Sequence, residues 1–158
     1  MDLDSNKQDM KDNLDEKEQH QLTVVEKAVF LQGIDIFSQT KTEDLARIAA
    51  ITEELEFDTG DIVFKEQGQG NALFFVISGE VSLQKGSRET KRLFPQETFG
   101  ELALLDNQPR EFTAVAVQHT HVLKIDGEEF FELIEDHVEI ARAVLKSLTK
   151  RIRMLVQD

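Results

Sequence analysis

The sequence predicts a mainly β domain with flanking α-helices: a β-barrel or jelly roll (a double-stranded β-helix) with N-terminal helices before it and a C-terminal helix pair after it. Three observations carry that expectation. Residues 51–126 hold short apolar runs separated by glycine-centred turns, Asp58-Thr59-Gly60-Asp61, Gly68-Gln69-Gly70-Asn71, Ser78-Gly79-Glu80 and Lys85-Gly86-Ser87. On both sides of that region apolar residues recur at the helical period. The longest unbroken apolar run, Ala72 to Ile77, suits a strand and falls far short of a membrane span. Many short strands with glycine-rich turns imply a barrel or jelly roll.

Residues 1–20 carry Asp2, Asp4, Asp9, Asp12, Asp15, Glu16 and Glu18 against Lys7, Lys11 and Lys17, with few apolar residues. Such a stretch cannot bury enough surface to order itself, so a disordered tail is expected, or an acidic arm that docks on a basic surface. Residues 21–158 are expected to form the domain. Its helices occupy 21–50, where Leu22, Val25 and Val29 recur at helical spacing and Thr40 with Glu43 forms a capping box before Leu45 and Ile48.

The barrel region follows at 51–126. Val81 and Leu83 alternate with Ser82 and Gln84, as a half-buried strand does, and Val122 to Ile125 makes another strand. At 127–158 the helices return. Asp126-Gly127-Glu128-Glu129 opens a helix carrying Phe130, Phe131, Leu133 and Ile134, and Asp136-His137-Val138-Glu139 opens the next. In that last helix Val138, Ala141, Leu145, Leu148, Ile152 and Leu155 fall at steps of 3, 4, 3, 4 and 3, a heptad seam. The seam either packs on the chain's own barrel or pairs with a second copy. Arg142, Lys146, Lys150 and Arg153 make a basic stripe on the same helix, a solvated face or a landing strip for an acidic partner.

Composition narrows the function. The chain has 158 residues, enough for one domain with a real core. Its net charge of −13 argues against DNA or RNA as partner, and its overall field opposes any anionic ligand. Cysteine is absent, so there is no disulfide framework and no thiol chemistry. The polar first twenty residues are no secretory signal. A cytoplasmic location without membrane attachment is expected. No nucleophile motif, phosphate loop or dinucleotide fingerprint is present, and the carboxylates of Glu53-Glu54 and of Glu128-Glu129 are adjacent and point apart. The chain is therefore not expected to be an enzyme. His119 and His121, two apart on a strand, could face one metal, but no third ligand follows at workable spacing, and no metal site or cofactor is expected.

The richest chemistry lies in Phe99-Gly100-Glu101-Leu102-Ala103-Leu104-Leu105 and the Pro109-Arg110 that follows. Gly100 lets the backbone approach a ligand or take a positive φ. Glu101 to Leu105 are good helix formers, and the first amides of a helix lack internal partners and suit an anion. Glu101, acceptor-only when ionised, fits a sugar hydroxyl. Arg110 is a planar fork that can hold two phosphate oxygens at once. Together these residues make an anion cradle with a hydroxyl hook.

Phe99 to Arg110 resembles the phosphate-binding cassette of the cyclic nucleotide-binding domain family, the regulatory domains of the catabolite activator and protein kinase A type. The likeness extends to Phe57-Asp58-Thr59-Gly60-Asp61-Ile62-Val63-Phe64, to the glycine-punctuated hairpin Gly68 to Val81, and to the leading helices from Val25 to Phe37. It implies a ligand, cAMP or cGMP, whose cyclic phosphate meets the Gly100 and Leu102 amides and Arg110, and whose ribose 2′-hydroxyl meets Glu101. It also implies that the residue after the arginine, here Glu111, presents its amide to the phosphate, and that apolar residues, here Leu83 and Leu93, cover the base. In this family the last helix serves as dimer contact, lid or both, so a homodimer and other domains of a larger protein are implied partners.

The sequence departs from the family where it counts. Small residues usually follow the arginine, and here they are Glu111 and Phe112. A carboxylate about 4 Å from a phosphate costs about 1 kcal/mol in water and about 4 kcal/mol at an effective dielectric near 20. If the chain is extended here, Phe112 shares a face with Arg110 and fills ligand space, whereas a bend at Arg110-Glu111 sends Glu111 to water. Two readings stand: a regulatory module that holds cAMP or cGMP and transmits binding through its C-terminal helix, and a degenerate module that binds only protein. A metal-dependent enzyme of the cupin kind, using His119 and His121, is a third.

Overall fold

The computed structural model describes residues 21–157. The expectations for the acidic stretch at 1–20 lie outside them. Two helices, α1 (Val24–Gln32) and α2 (Thr42–Ala50), flank a 3-10 turn at Asp35–Phe37. Six strands follow: β1 (Thr52–Phe57), β2 (Ile62–Phe64), β3 (Leu73–Ser78), β4 (Val81–Lys85), β5 (Arg88–Leu93) and β6 (Thr98–Phe99). A short helix, α3 (Glu101–Asp106), interrupts them before β7 (Thr113–Ala116) and β8 (Thr120–Ile125). The chain ends in α4 (Gly127–Asp136) and α5 (Val138–Val156).

The strands form two antiparallel four-stranded sheets, ordered β1-β8-β3-β6 and β2-β7-β4-β5. This is the jelly-roll arrangement with flanking helices that the strand pattern predicts, built as two facing sheets. Phe74, Val76 and Val122 of the first sheet meet Val81, Leu93 and Ala114 of the second in one apolar core. The opposite face of the first sheet, Leu73, Phe75, Leu123 and Ile125, packs on Leu31, Ile34, Ile48, Phe130 and Ile140 of the helical elements. β3 is thus buried on both faces, which is why its sequence is continuously apolar and does not alternate. β5 is an edge strand exposed along its charged length, with only Leu93 buried.

The helix ends correct two local expectations, bear out a third and add a box the sequence reading did not name. The reciprocal capping box sits on Thr23 and Glu26, with Glu26 N donating to Thr23 Oγ1 at 3.1 Å and Thr23 N donating to Glu26 Oε1 at 3.2 Å. Thr40 caps nothing: its amide donates to Phe37 O at 3.0 Å, which makes it part of the preceding turn, and α2 begins after Lys41 without a side-chain cap. Asp126 caps α4 as expected, accepting from Glu128 N and Glu129 N. At the next junction Asp136 makes no cap, and His137 alone separates α4 from α5.

Two helical faces also differ from the periodicity. Val25 and Val29 are exposed, and α1 buries Leu31 with Ala28 and Phe30 against the core. On α5 the packed residues are Ile140, Val144 and Ser147, and Ser147 Oγ lies 3.3 Å from Ser38 Oγ beside the 3-10 turn. Arg151 Nε donates to Asp35 Oδ2 at 3.0 Å, one turn further along. The heptad seam packs on the chain's own elements only in part: Val138, Leu145, Ile152 and Leu155 are 59–73 % exposed, while Ala141 and Leu148 are half-buried. A heptad pattern records only that one stripe is apolar, and tertiary docking chose the neighbouring stripe.

Candidate functional site

Gly100 joins β6 to α3 at φ +86°, the left-handed region that glycine enters without penalty. A Cβ built there would lie 2.8 Å from Ala72 O and 2.9 Å from Arg110 Nη1. The absent side chain is what allows the arginine to reach the start of α3.

Arg110 is 4 % exposed. Its backbone is clamped to the glycine turn before β3: Arg110 N donates to Gly68 O at 2.9 Å, and Gln67 N donates to Arg110 O at 2.7 Å. Its side chain runs inward, where Nη1 donates to Gly100 O at 3.1 Å and Nη2 to Ala72 O at 2.9 Å. The guanidinium carbon lies 4.2 Å from the centre of the Phe64 ring, within cation–π range. Nε, also buried, has no partner among the described residues. Burial pushes the Arg110 guanidinium below its usual pKa, and the Glu101 carboxylate pulls it back up.

Five N–H bonds on an arginine and two recorded acceptors leave donors to spare, Nε–H among them. Gly70 stands beside that edge, and even a Cβ there would come only to 3.6 Å from Nη2 and 3.8 Å from Nε. A buried cation with an unpaired donor is chemically a site for an anion, because leaving such a donor unmade costs about 1–3 kcal/mol.

The guanidinium borders a cavity of about 440 Å³ whose lining includes Phe64, Leu83, Gly100, Glu101, Leu102, Glu111 and Phe112. Six of the seven expected site residues therefore gather at one hollow. The seventh, Leu93, is buried in an adjoining hollow of about 250 Å³ that shares Leu83, Glu101 and Phe112 with the first. Residues 111 and 112 form a bend and β7 begins only at Thr113, so the extended arrangement is not the one adopted. Glu111 turns to solvent at the cavity rim, while Phe112 is half-buried in its wall.

Sequence reasoning missed Phe64, Gln67, Lys85 and Gln108 in that wall. Phe64 lies 46 positions before Arg110, and the pairing of Phe64 with Ala114 brings the two together. Nothing local to Ile62-Val63-Phe64 signals that contact. The histidines expected as a possible metal pair do not converge: His119 Nδ1 lies 3.2 Å from Asp58 Oδ1, and His121 Nε2 lies 2.9 Å from Glu54 Oε2.

Residues 54–137 match the family model for the cyclic nucleotide-binding domain. The chain belongs to that family. Among relatives of this cyclic nucleotide-binding domain is a CRP-like cAMP-activated global transcriptional regulator of Mycobacterium tuberculosis, 30 % identical over 114 residues, which cover 67 % of this chain and 51 % of the regulator. Another is a cAMP-dependent protein kinase regulatory subunit of Emericella nidulans, 31 % identical over 107 residues, which cover 66 % of this chain and 26 % of the subunit. The chain thus spans about half or less of these relatives. The N-terminal domain of a transcriptional regulator from Streptomyces coelicolor superposes with a TM-score of 0.73 at 26 % identity, covering 81 % of this chain and 93 % of that domain. Among the described residues no helix of this cyclic nucleotide-binding domain is long and apolar enough to cross a membrane.

Proposed function

We propose that this domain is a non-enzymatic regulatory module that binds cAMP or cGMP in the cavity beside Arg110. The cyclic phosphate takes the guanidinium and the main-chain amides of Gly100, Leu102 and Glu111. The ribose 2′-hydroxyl donates to Glu101, and Leu83, Phe112 and Leu93 cover the base. The observation that carries this reading is the buried Arg110 whose Nε lacks a partner at the edge of a cavity of nucleotide size.

Glu101 suggests how occupancy travels. It borders the ligand cavity, and it also borders a second hollow of about 420 Å³ lined by α3, α4, α5 and the 3-10 turn together with β3 and the β5–β6 segment. Leu104, Phe130, Val144 and Leu148 line that hollow, so a shift of α3 on binding changes the floor on which α5 rests. A ligand with different affinity for the two α5 positions biases them by that difference. The exposed Val138, Leu145, Ile152 and Leu155 support a homodimer through α5, and the length of the relatives supports further domains as partners.

Calorimetry with cAMP and cGMP tests the reading. Saturable heat that Arg110→Ala removes is expected. Silence from the folded wild-type domain at millimolar nucleotide would leave the protein-binding module as the better account.

A further inference from the structure

Away from the nucleotide cavity, Asp44, His137 and Glu139 each offer one ligand atom, and the three atoms lie within 4.8 Å of one another. They come from two separate parts of the chain, the first turn of α2 and the junction between α4 and α5. Asp44 is 4 % exposed, and its Oδ1 accepts from Arg47 Nη1 at 2.7 Å. His137 Nδ1 stands 3.6 Å from Glu139 Oε1. With zinc–ligand bonds of about 2.0–2.2 Å, the edge of a tetrahedral site is about 3.4 Å, so this pair is already at near-bonding separation.

We propose that Asp44, His137 and Glu139 form a binding site for a borderline divalent cation of the zinc type, which ties α2 to the α4–α5 junction. One imidazole with two carboxylates is a donor set that such ions take, with water in the fourth position. The Glu139 carboxyl is held below its usual range by its own main-chain amide, by His137 and by Arg47, which also donates to Asp44, so an entering cation competes with the Arg47 guanidinium for the two carboxylates. The net charge of −13 that opposes a nucleotide favours a cation. His137 makes no side-chain cap to either helix it separates, and its recorded side-chain partner is Glu139, itself in the cluster.

Titration of the full chain with zinc chloride at neutral pH, without nucleotide, tests the site. One zinc per chain is expected, with affinity lowered roughly tenfold or more in His137→Ala and in Glu139→Gln. The double variant His119→Ala/His121→Ala should bind as the wild type does. Asp44 is buried, so its variant can fail by unfolding, and cobalt spectroscopy of the intact chain supplies a second measure. Visible tetrahedral bands that vanish in His137→Ala are expected. No saturation at millimolar zinc would overturn the proposal, as would binding that persists in His137→Ala through scattered exposed carboxylates.

Discussion

Arg110 Nη1 donates to the carbonyl oxygen of Gly100 at 3.1 Å, and a Cβ on Gly100 would lie 2.9 Å from that same nitrogen. The glycine and the arginine thus form one unit: the first vacates the space that the second occupies. Gly100→Ala should therefore act twice. It forces an alanine to φ +86° and pushes the guanidinium off its acceptors. A loss of about 1–3 kcal/mol in stability is expected from the backbone alone, read as a lower urea midpoint, together with loss of nucleotide heat.

Replacing Arg110 by lysine separates charge from geometry. Lysine keeps the cation, but it cannot serve Gly100 O and Ala72 O together while lying over the face of the Phe64 ring. Arg110→Lys should lower stability by about 1–2 kcal/mol and abolish most nucleotide binding. A lysine variant with wild-type affinity would show that a point charge suffices.

Glu111 stands at the rim of the cavity and faces solvent, where its repulsion of a phosphate is reduced but present. Glu111→Ser should tighten cAMP or cGMP binding about fivefold, the equivalent of about 1 kcal/mol at a solvated separation of about 4 Å. The gain should shrink as salt rises, since screening already weakens the repulsion in the wild type. Calorimetry at low and high salt reads both effects.

On α5, Leu145 and Ile152 are 62 % and 59 % exposed and lie two turns apart on one stripe. Leu145→Asp with Ile152→Asp should convert a dimer to a monomer in sedimentation experiments. The melting temperature of the monomer itself should hardly change, because the packed face of Ile140, Val144 and Ser147 is untouched. A wild-type chain that sediments as a monomer at all concentrations would remove α5 from the dimer model.

Thr23→Ala removes one half of the box that starts α1. A cost of about 1 kcal/mol is expected, with hydrogen exchange accelerated first at Glu26 and its neighbours. Thr40→Ala should cost less, since the Thr40 hydroxyl is buried without an acceptor among the described residues.

What the sequence determined by itself was local: glycines where the chain turns or comes close, Asp126 as a helix start, strands with short turns, and the cassette from Phe99 to Arg110 with its chemical inventory. These follow from backbone freedom and side-chain chemistry that each residue carries wherever it sits. Tertiary structure alone decided what those residues meet. Arg110 rests on Phe64 and Ala72, 46 and 38 positions away, because antiparallel pairing of β2 with β7 and the clamp to Gly68 bring them there. The face of α5 was undecidable locally for the same reason: the docked stripe, Ile140, Val144, Ser147 and Arg151, is half polar, and only the contacts of Ser147 and Arg151 with Ser38 and Asp35 select it over the more apolar seam beside it. Periodicity reports how a segment prefers to fold, whereas the burial free energy that chooses its partner belongs to surfaces distant in the chain.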